Sequence, residues 1–475
     1  MEFLSFSAIF PESCLLIFAC AVLMLGVFAR SGAPSLSYFL SQIGLLLAVC
    51  LLFFFPMNAG HFSELLTVDR LSVALQVCVI IAVLFSFHYA NHYNQMHHLP
   101  AAEFYVLGLL STIGMLLLVA TSNMMMLFLG LELMALPVYT MTAMMRSKMR
   151  SVEAGMKYFV IGALASGLLL YGFSLLYGVS QSLELSQIAT AAIAAPAQTQ
   201  LVFYFGLVFV IIGIAFKLGA APFHAWVPDI YDGAPNSTTL FISAAPKLAA
   251  FGFAVRFLMD LAPQLHIHIQ LALILIALLS IAIGNVAGIV QGNIKRLLAY
   301  SSIAHIGYIT LGFACGTARG DSAAFFYIIT YALTSLGTFG MLALLAREGL
   351  EMNELADFSG LAQRQPWMAF MMLLMMFSLS GVPPLVGFIA KVGILEALIQ
   401  VHSAWLAVIA IIFSIIGSYY YIHVVKVMYF EDVPENSALP QISVHGQWAM
   451  TMNGLLVLGL GVFPGQLFLL CRSVF

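Results

Sequence analysis

The chain predicts an all-α integral membrane protein of about fourteen transmembrane helices, and three observations support this. Of its 475 residues, 62% are hydrophobic and only 8% are charged, against roughly 25% charged in a soluble chain. The apolar residues gather into runs of about twenty, the length needed to cross about 30 Å of hydrocarbon. The charged residues fall mostly between those runs. A net charge of −3 decides little, because most of such a surface faces lipid.

Taken in order, the runs give spans at 8–28, 36–57, 68–90, 101–120, 123–145, 152–178, 201–226, 237–259, 268–291, 296–316, 321–346, 366–400, 404–429 and 447–470. Residues 1–10 contain Glu2 and neither Lys nor Arg, unlike the basic start of a cleaved signal peptide, so the first run reads as a retained span. The sizeable non-apolar connections are 179–200 and 347–365, and residues 1–475 form a single polytopic membrane domain. Within it, residues 1–100 hold three peripheral helices, 101–259 a first five-helix repeat, 268–429 a second and 447–470 a final helix. An even number of spans puts both termini on one side. With that side taken as the outside, the inner loops hold Arg30, Arg146, Lys148, Arg150, Lys295, Arg296, Arg347, Arg364 and Lys426. The outer side holds only Arg70, Arg319 and Arg472. This bias satisfies the positive-inside rule and makes both termini periplasmic in a bacterial inner membrane.

The remaining five of the seventeen basic residues fall well inside spans or near their ends: Lys157, Lys217, Lys247, Arg256 and Lys391. Arg256 lies near a helix end and reads as an interface anchor. Lys157 admits an interfacial and a functional reading equally. Lys217, Lys247 and Lys391 are too central to reach the interface, and intramembrane charge of this kind marks ion or substrate paths. Among the acids, Glu132 lies mid-helix in NMMMLFLGLELMALPVYT, and Glu396 is a weaker candidate. Glu12, Glu103 and Glu153 lie near helix ends and read as interfacial. Desolvation disfavours the charged form of an isolated buried acid or base, and a neighbour of opposite sign restores it. A row of such groups can hold a proton in more than one place, which is what a relay requires.

Two spans carry helix breakers. In AFKLGAAPFHAWVPDIYDGAP, Gly219 and Pro222 follow Lys217 and precede His224. In SLSGVPPLVGFIAKVGILEAL, Gly381, Pro383, Pro384 and Gly387 precede Lys391. Irregular backbone at membrane depth survives only where protein or a wet cavity covers it. Interrupted seventh and twelfth helices point to two repeats, helices 4–8 and 9–13, inverted because each holds an odd number of spans. In RLLAYSSIAHIGY, Tyr300 and His305 add uncharged polar groups; His305 reads equally as a satisfied core histidine or a relay member. The group His88, His92, His97 and His98 lacks a nearby Cys, and a metal reading is disfavoured. The six cysteines form no C-x-x-C pair, so no zinc, cluster or disulfide framework is expected.

These three strings together resemble the antiporter-like membrane subunits of respiratory complex I. The lysine after the GVPP break, and a chain that stops after its fourteenth span, resemble the N-type group within that family. The resemblance implies proton translocation driven by NADH-to-quinone electron transfer in other subunits. It implies Glu132, Lys217, Lys247 and Lys391 as the relay, with His224, Lys157, Tyr300 and His305 as secondary members. It further implies no flavin, iron–sulfur cluster or nucleotide in this chain. NADH, FMN, clusters and quinone would sit in other subunits, and the partners would be related membrane-arm subunits and lipid, with no nucleic acid. Two other readings share some of these features: a subunit of a multisubunit sodium/proton antiporter, and an assembly subunit whose buried charges only fix packing.

Overall fold

The computed structural model describes residues 9–28, 33–54, 61–62, 65–194, 196–346, 351–433 and 442–475. Glu2, Arg30 and Arg347 lie outside the described residues.

Helices dominate because a chain in hydrocarbon must satisfy its backbone polar groups internally. In chain order they are α1 (Phe10–Phe28), α2 (Ala33–Phe54), α3 (Arg70–Met96), α4 (Ala101–Val119), α5 (Met124–Thr142), α6 (Met149–Ser180), α7 (Leu185–Ala194), α8 (Ala197–Leu218) and α9 (Trp226–Gly233). They continue with α10 (Asn236–Ile289), α11 (Ile294–Ala314), α12 (Ala318–Leu345), α13 (Leu361–Arg364), α14 (Pro366–Ser380), α15 (Val386–Gln400), α16 (Ala404–Phe430), α17 (Val444–Val462) and α18 (Gly465–Val474). A short antiparallel pair, β1 (His61–Phe62) and β2 (Leu66–Thr67), lies between α2 and α3. Side-chain oxygens start several helices: Asn123 accepts from Met125 and Met126, Asn293 from Lys295 and Arg296, and Thr317 from Gly320.

Among the described residues, twelve helices are long and apolar enough to cross a bilayer, or thirteen if α17 and α18, bent by 80°, form one span. About fourteen were expected. The difference lies at 366–400, where the break leaves α14 and α15 with 15 residues each. Each is then roughly 22 Å long and too short to span alone. The expected connection at 260–267 is helical, and α10 runs for 54 residues. That connection, DLAPQLHI, contains no glycine and holds helix-forming Leu, Ala and Gln, and Pro263 does not end the helix. Within 179–200 the chain forms α7, and Phe463–Pro464 bends the expected last span.

The chain divides into two compact units. The first comprises Met1–Phe87, Leu99–Leu218 and Ala245–Gln270. In it α4 packs on α5, α6 on α8, and α1 on α2 and α4. Close approach is possible because Gly114 and Gly130 lie against each other's helix backbone, and Gly172 and Gly206 do the same between α6 and α8. Small residues are the usual device for packing helices in lipid. The second unit comprises His88–His98, Gly219–Ala244 and Leu271–Phe475. There α11 packs on α12, and α12 on α15, α17 and α18.

One local motif occurs twice. Asn123 bridges Glu184, and Asn293 bridges Glu354. The supporting bonds correspond: Met124 N to Leu183 O (2.8 Å) and Leu185 N to Ser122 O (3.1 Å), against Ile294 N to Asn353 O (2.8 Å) and Leu355 N to Gly292 O (2.9 Å). Gly114 against Gly130 O and Met134 N likewise corresponds to Gly284 against Tyr300 O and Ala304 N.

Candidate functional site

Each unit carries its own set of buried polar groups, and each set stands where the sequence interrupts a helix. In the first unit α8 ends at Leu218, one residue after Lys217. The ammonium of Lys217 donates to the Tyr139 hydroxyl at 3.3 Å and lies 5.9 Å and 5.8 Å from the ring centres of Tyr139 and Phe216. Glu132, two helical turns before Tyr139 on α5, has a buried Oε1 without a hydrogen-bond partner. No Glu132–Lys217 ion pair within 4.0 Å occurs among the described residues. Tyr139, bonded to the base and on the same helix as the acid, is a neutral group that can both donate and accept.

Lys247 is 2% exposed on α10, in a stretch of Ala and Phe whose side chains are equally buried. Lys157 is placed differently. It sits on the outer face of α6, 44% exposed, and pairs with Glu153 at 2.8 Å.

Two residues read as interfacial are buried in this unit. Arg256 is 6% exposed and binds Asp69 through both terminal nitrogens, at 2.6 and 2.5 Å, while its Nε donates to Val119 O. Asp69 also caps α3 by accepting from Ser72 N at 2.8 Å. Burial raises the Asp69 carboxyl, but the hydrogen bonds and charge of Arg256 outweigh it and hold the group below its ordinary value. Glu12 is 3% exposed and accepts from Gln76 at 3.0 Å, with its second oxygen unpartnered.

In the second unit His224 follows the first break. It is half-buried, its Nδ1 has no partner, and its carbonyl accepts from Val227 N. His305, on α11, lies between two tyrosines: Nδ1 is 2.8 Å from the Tyr327 hydroxyl and Nε2 is 3.1 Å from that of Tyr421. Tyr421 is in turn 2.5 Å from Ser301 Oγ. Because tyrosine hydroxyls both donate and accept, either neutral tautomer of His305 is satisfied. Tyr308 stacks on Tyr327 (6.1 Å, 11°), and Lys391 lies 5.4 Å from the centre of the Tyr308 ring.

Lys391 folds back over the second break. Gly381 has φ +87° and ends α14, and the space where its side chain would stand is occupied by Lys391. The ammonium donates to Ser380 O at 2.8 Å and Ser414 Oγ at 2.9 Å. Glu396 pairs instead with Arg319 at 2.7 Å. Tyr300 is half-buried on α11. Lys295, counted above as a loop residue, is wholly buried at the start of α11.

Among the described residues no group of three or more His, Cys, Asp or Glu could hold a metal ion. The family model described as NADH:quinone oxidoreductase/Mrp antiporter, TM, matches residues 121–417. NADH-quinone oxidoreductase subunit N of Coxiella burnetii is 53% identical over 471 residues, 98% of each chain. The subunit N of Thioalkalivibrio sulfidiphilus is 45% identical over 98% of this chain and 97% of that one. The chain belongs to the NADH-quinone oxidoreductase subunit N family.

Subunit N membership agrees with solved structures. A chain of respiratory complex I from Thermus thermophilus with bound aureothin superposes with a TM-score of 0.83 at 29% identity, covering 97% of this chain and 99% of that one. A chain of the Mrp complex from Dietzia sp. DQ12-45-1b shares the fold alone, with a TM-score of 0.85 at 19% identity over 100% of this chain and 97% of that one. The family match includes all eight sequence-assigned candidates and leaves α1 to α4, with Glu12, outside it. Sequence reasoning missed Tyr139, Tyr327, Tyr421 and Ser414. Tyr139 could have been found, because it lies seven residues from Glu132 and so on the same helix face. The others come from distant helices, and no local spacing marks them.

Proposed function

We propose that this subunit N family member translocates protons in the membrane arm of an NADH-quinone oxidoreductase, driven by quinone reduction elsewhere in the assembly. One observation carries the reading. Lys217 and Lys391 are each held beside a helix break by uncharged partners, a tyrosine hydroxyl for one, and a carbonyl, a serine hydroxyl and a ring face for the other. A lysine locked to a carboxylate is a static ion pair; one held by neutral oxygens can give up its proton without leaving a buried anion unpaired. In this scheme Glu132, Lys217, Lys247 and Lys391 carry the proton, and His224, Tyr300 and His305 serve as secondary members. Lys157, the other residue the resemblance implied, is paired with Glu153 at 2.8 Å and by the same criterion stays outside the path. The five-helix repeats at 101–259 and 268–429, flanked by 1–100 and 447–470, are inverted, and both termini are periplasmic in a bacterial inner membrane. Flavin, clusters and the quinone site belong to partner subunits.

The test uses inverted membrane vesicles containing assembled complex and a pH-sensitive dye. Lys391→Ala should lower NADH-driven acidification per electron, and Glu396→Ala should lower it less. Normal acidification in Lys391→Ala would overturn the assignment. Sodium-dependent acidification would favour the antiporter reading instead. Labelling of the Arg150→Cys variant from the periplasmic side of intact cells would overturn the orientation.

A further inference from the structure

The start of α11 carries a buried charged cluster for which the proton scheme has no use. Lys295 has a fully buried side chain whose ammonium donates to Ala234 O at 2.6 Å and lies 3.8 Å from Glu351 Oε2. Glu351 also accepts from the Tyr93 hydroxyl at 2.8 Å and from Asn353 at 3.1 Å. The Tyr93 hydroxyl accepts from Asn236 N at 3.2 Å. Beside it, Arg296 binds Asp229 at 3.0 Å and Asn293 donates to Asp232 at 3.0 Å. The residues Asp229, Asp232, Ala234 and Asn236 all belong to or directly follow α9, the short helix after the first break.

A cation at a helix N-terminus opposes the helix dipole, so Lys295 gains nothing from α11 itself. Its contact is with the C-cap carbonyl of α9, where a cation is favoured. The internal repeat shows that the charges are not needed for the local backbone. Where the second copy has Lys295, Arg296 and Glu351, the first copy has Met125, Met126 and Gln181, each 170 residues earlier. Met125 is 46% exposed, yet the Asn123–Glu184 bridge forms as its counterpart does. The charges of the second copy therefore serve the segment they grip.

We infer that Lys295 is a positioning residue: with Glu351 and Arg296 it anchors α9 to α11 and so fixes His224, one residue before the N-cap of α9. This rests on the proposed proton role of His224. A loosened α9, held then by Arg296, Asn293 and its buried apolar face, would let the adjoining His224 shift.

The test has two independent readouts in assembled complex. The first does not involve proton transfer: Val227→Cys, at a fully buried position of α9, is modified with a small thiol reagent and followed by peptide mass spectrometry. Lys295→Ala should raise its modification rate about tenfold, the effect of losing roughly one charged hydrogen bond, and Lys295→Arg should restore the slow rate. The second readout is acidification per electron, which should fall in Lys295→Ala and recover in Lys295→Arg. Unchanged modification in Lys295→Ala refutes the anchor. If Lys295→Arg keeps the introduced thiol protected but pumps as poorly as Lys295→Ala, Lys295 itself carries the proton, and the claim that it acts on pumping by positioning His224 is wrong. If labelling responds as expected while pumping never changes, the anchor stands and the role assigned to His224 fails.

Discussion

Replacing Gly381 with alanine should disable Lys391 without changing that residue itself. Gly381 has φ +87°, a conformation that costs an L-residue about 1–2 kcal/mol. The added Cβ would lie 2.9 Å from Lys391 Cδ, 3.2 Å from Nζ and 3.3 Å from Cε. The side chain must then move, and its bonds to Ser380 O and Ser414 Oγ, at 2.8 and 2.9 Å, have little slack. Losing one charged hydrogen bond costs about 1.5–3 kcal/mol, so occupancy of the docked geometry should fall roughly ten- to hundredfold. The assay is acidification per electron in vesicles, normalised to assembled complex. Gly393→Ala is the control: its Cβ would meet neighbours only at 3.7–3.8 Å, and alanine in a helix interior is worth about 0.5–1 kcal/mol over glycine. In a Lys391→Ala background, Gly381→Ala should have no further effect on acidification. Wild-type acidification in Gly381→Ala, or full additivity with Lys391→Ala, would refute the reasoning.

Glu132→Ala and Lys217→Ala should each reduce translocation, and the double variant should lose less than the two single losses combined, because neighbouring sites are non-additive. Tyr139→Phe keeps the ring near Lys217 but removes the hydroxyl that accepts from its ammonium, and should lower acidification about tenfold, as loss of one charged hydrogen bond would. Lys247→Arg should block translocation although packing and charge are roughly kept, since arginine does not release its proton; wild-type acidification would point to a static role. Asp69→Asn should destabilise the complex by roughly 1–3 kcal/mol near neutral pH, a moderate figure because Asp69 is 39% exposed. The Asp69 carboxyl is held low, so its contribution is present above about pH 4, the unfolded carboxylate range, and is lost as pH falls through the folded value. Thermal inactivation measured from pH 7 downward should show that acid loss in the wild type and not in Asp69→Asn.

The breaks were legible because Gly and Pro act locally: Gly219 and Gly381 end their helices where the sequence placed them. The lysines were legible because charge in an apolar run needs an explanation. Partners were not. Glu12 and Arg256 look interfacial from their distance to helix ends, yet Gln76 and Asp69 bury them from 64 and 187 residues away. Lys295 looks like a loop residue because it lies just ahead of an apolar run and shortly after Gln291, Gly292 and Asn293, but its surroundings are built by Ala234 and Glu351. Local pattern gives the depth of a residue along its helix. The direction it faces depends on which other helices arrive there.

The two most enclosed spans, Asn236–Met259 and Ile294–Ala314, are also among the least apolar. They hold Lys247, Lys295 and His305. A lysine at mid-span costs about 2.5–3.5 kcal/mol when a single helix leaves the translocon for lipid. Asn236–Met259, with Lys247 at its middle, is therefore a poor candidate for insertion on its own, and Ile294–Ala314, with Lys295 and Arg296 in its first turn and His305 at mid-helix, is little better. During synthesis they should wait beside the translocation machinery until more apolar segments, such as Thr199–Leu218 and Ile269–Ile289, can shelter them. Biogenesis of this chain would then be sensitive to the insertase supply in a way its finished stability is not.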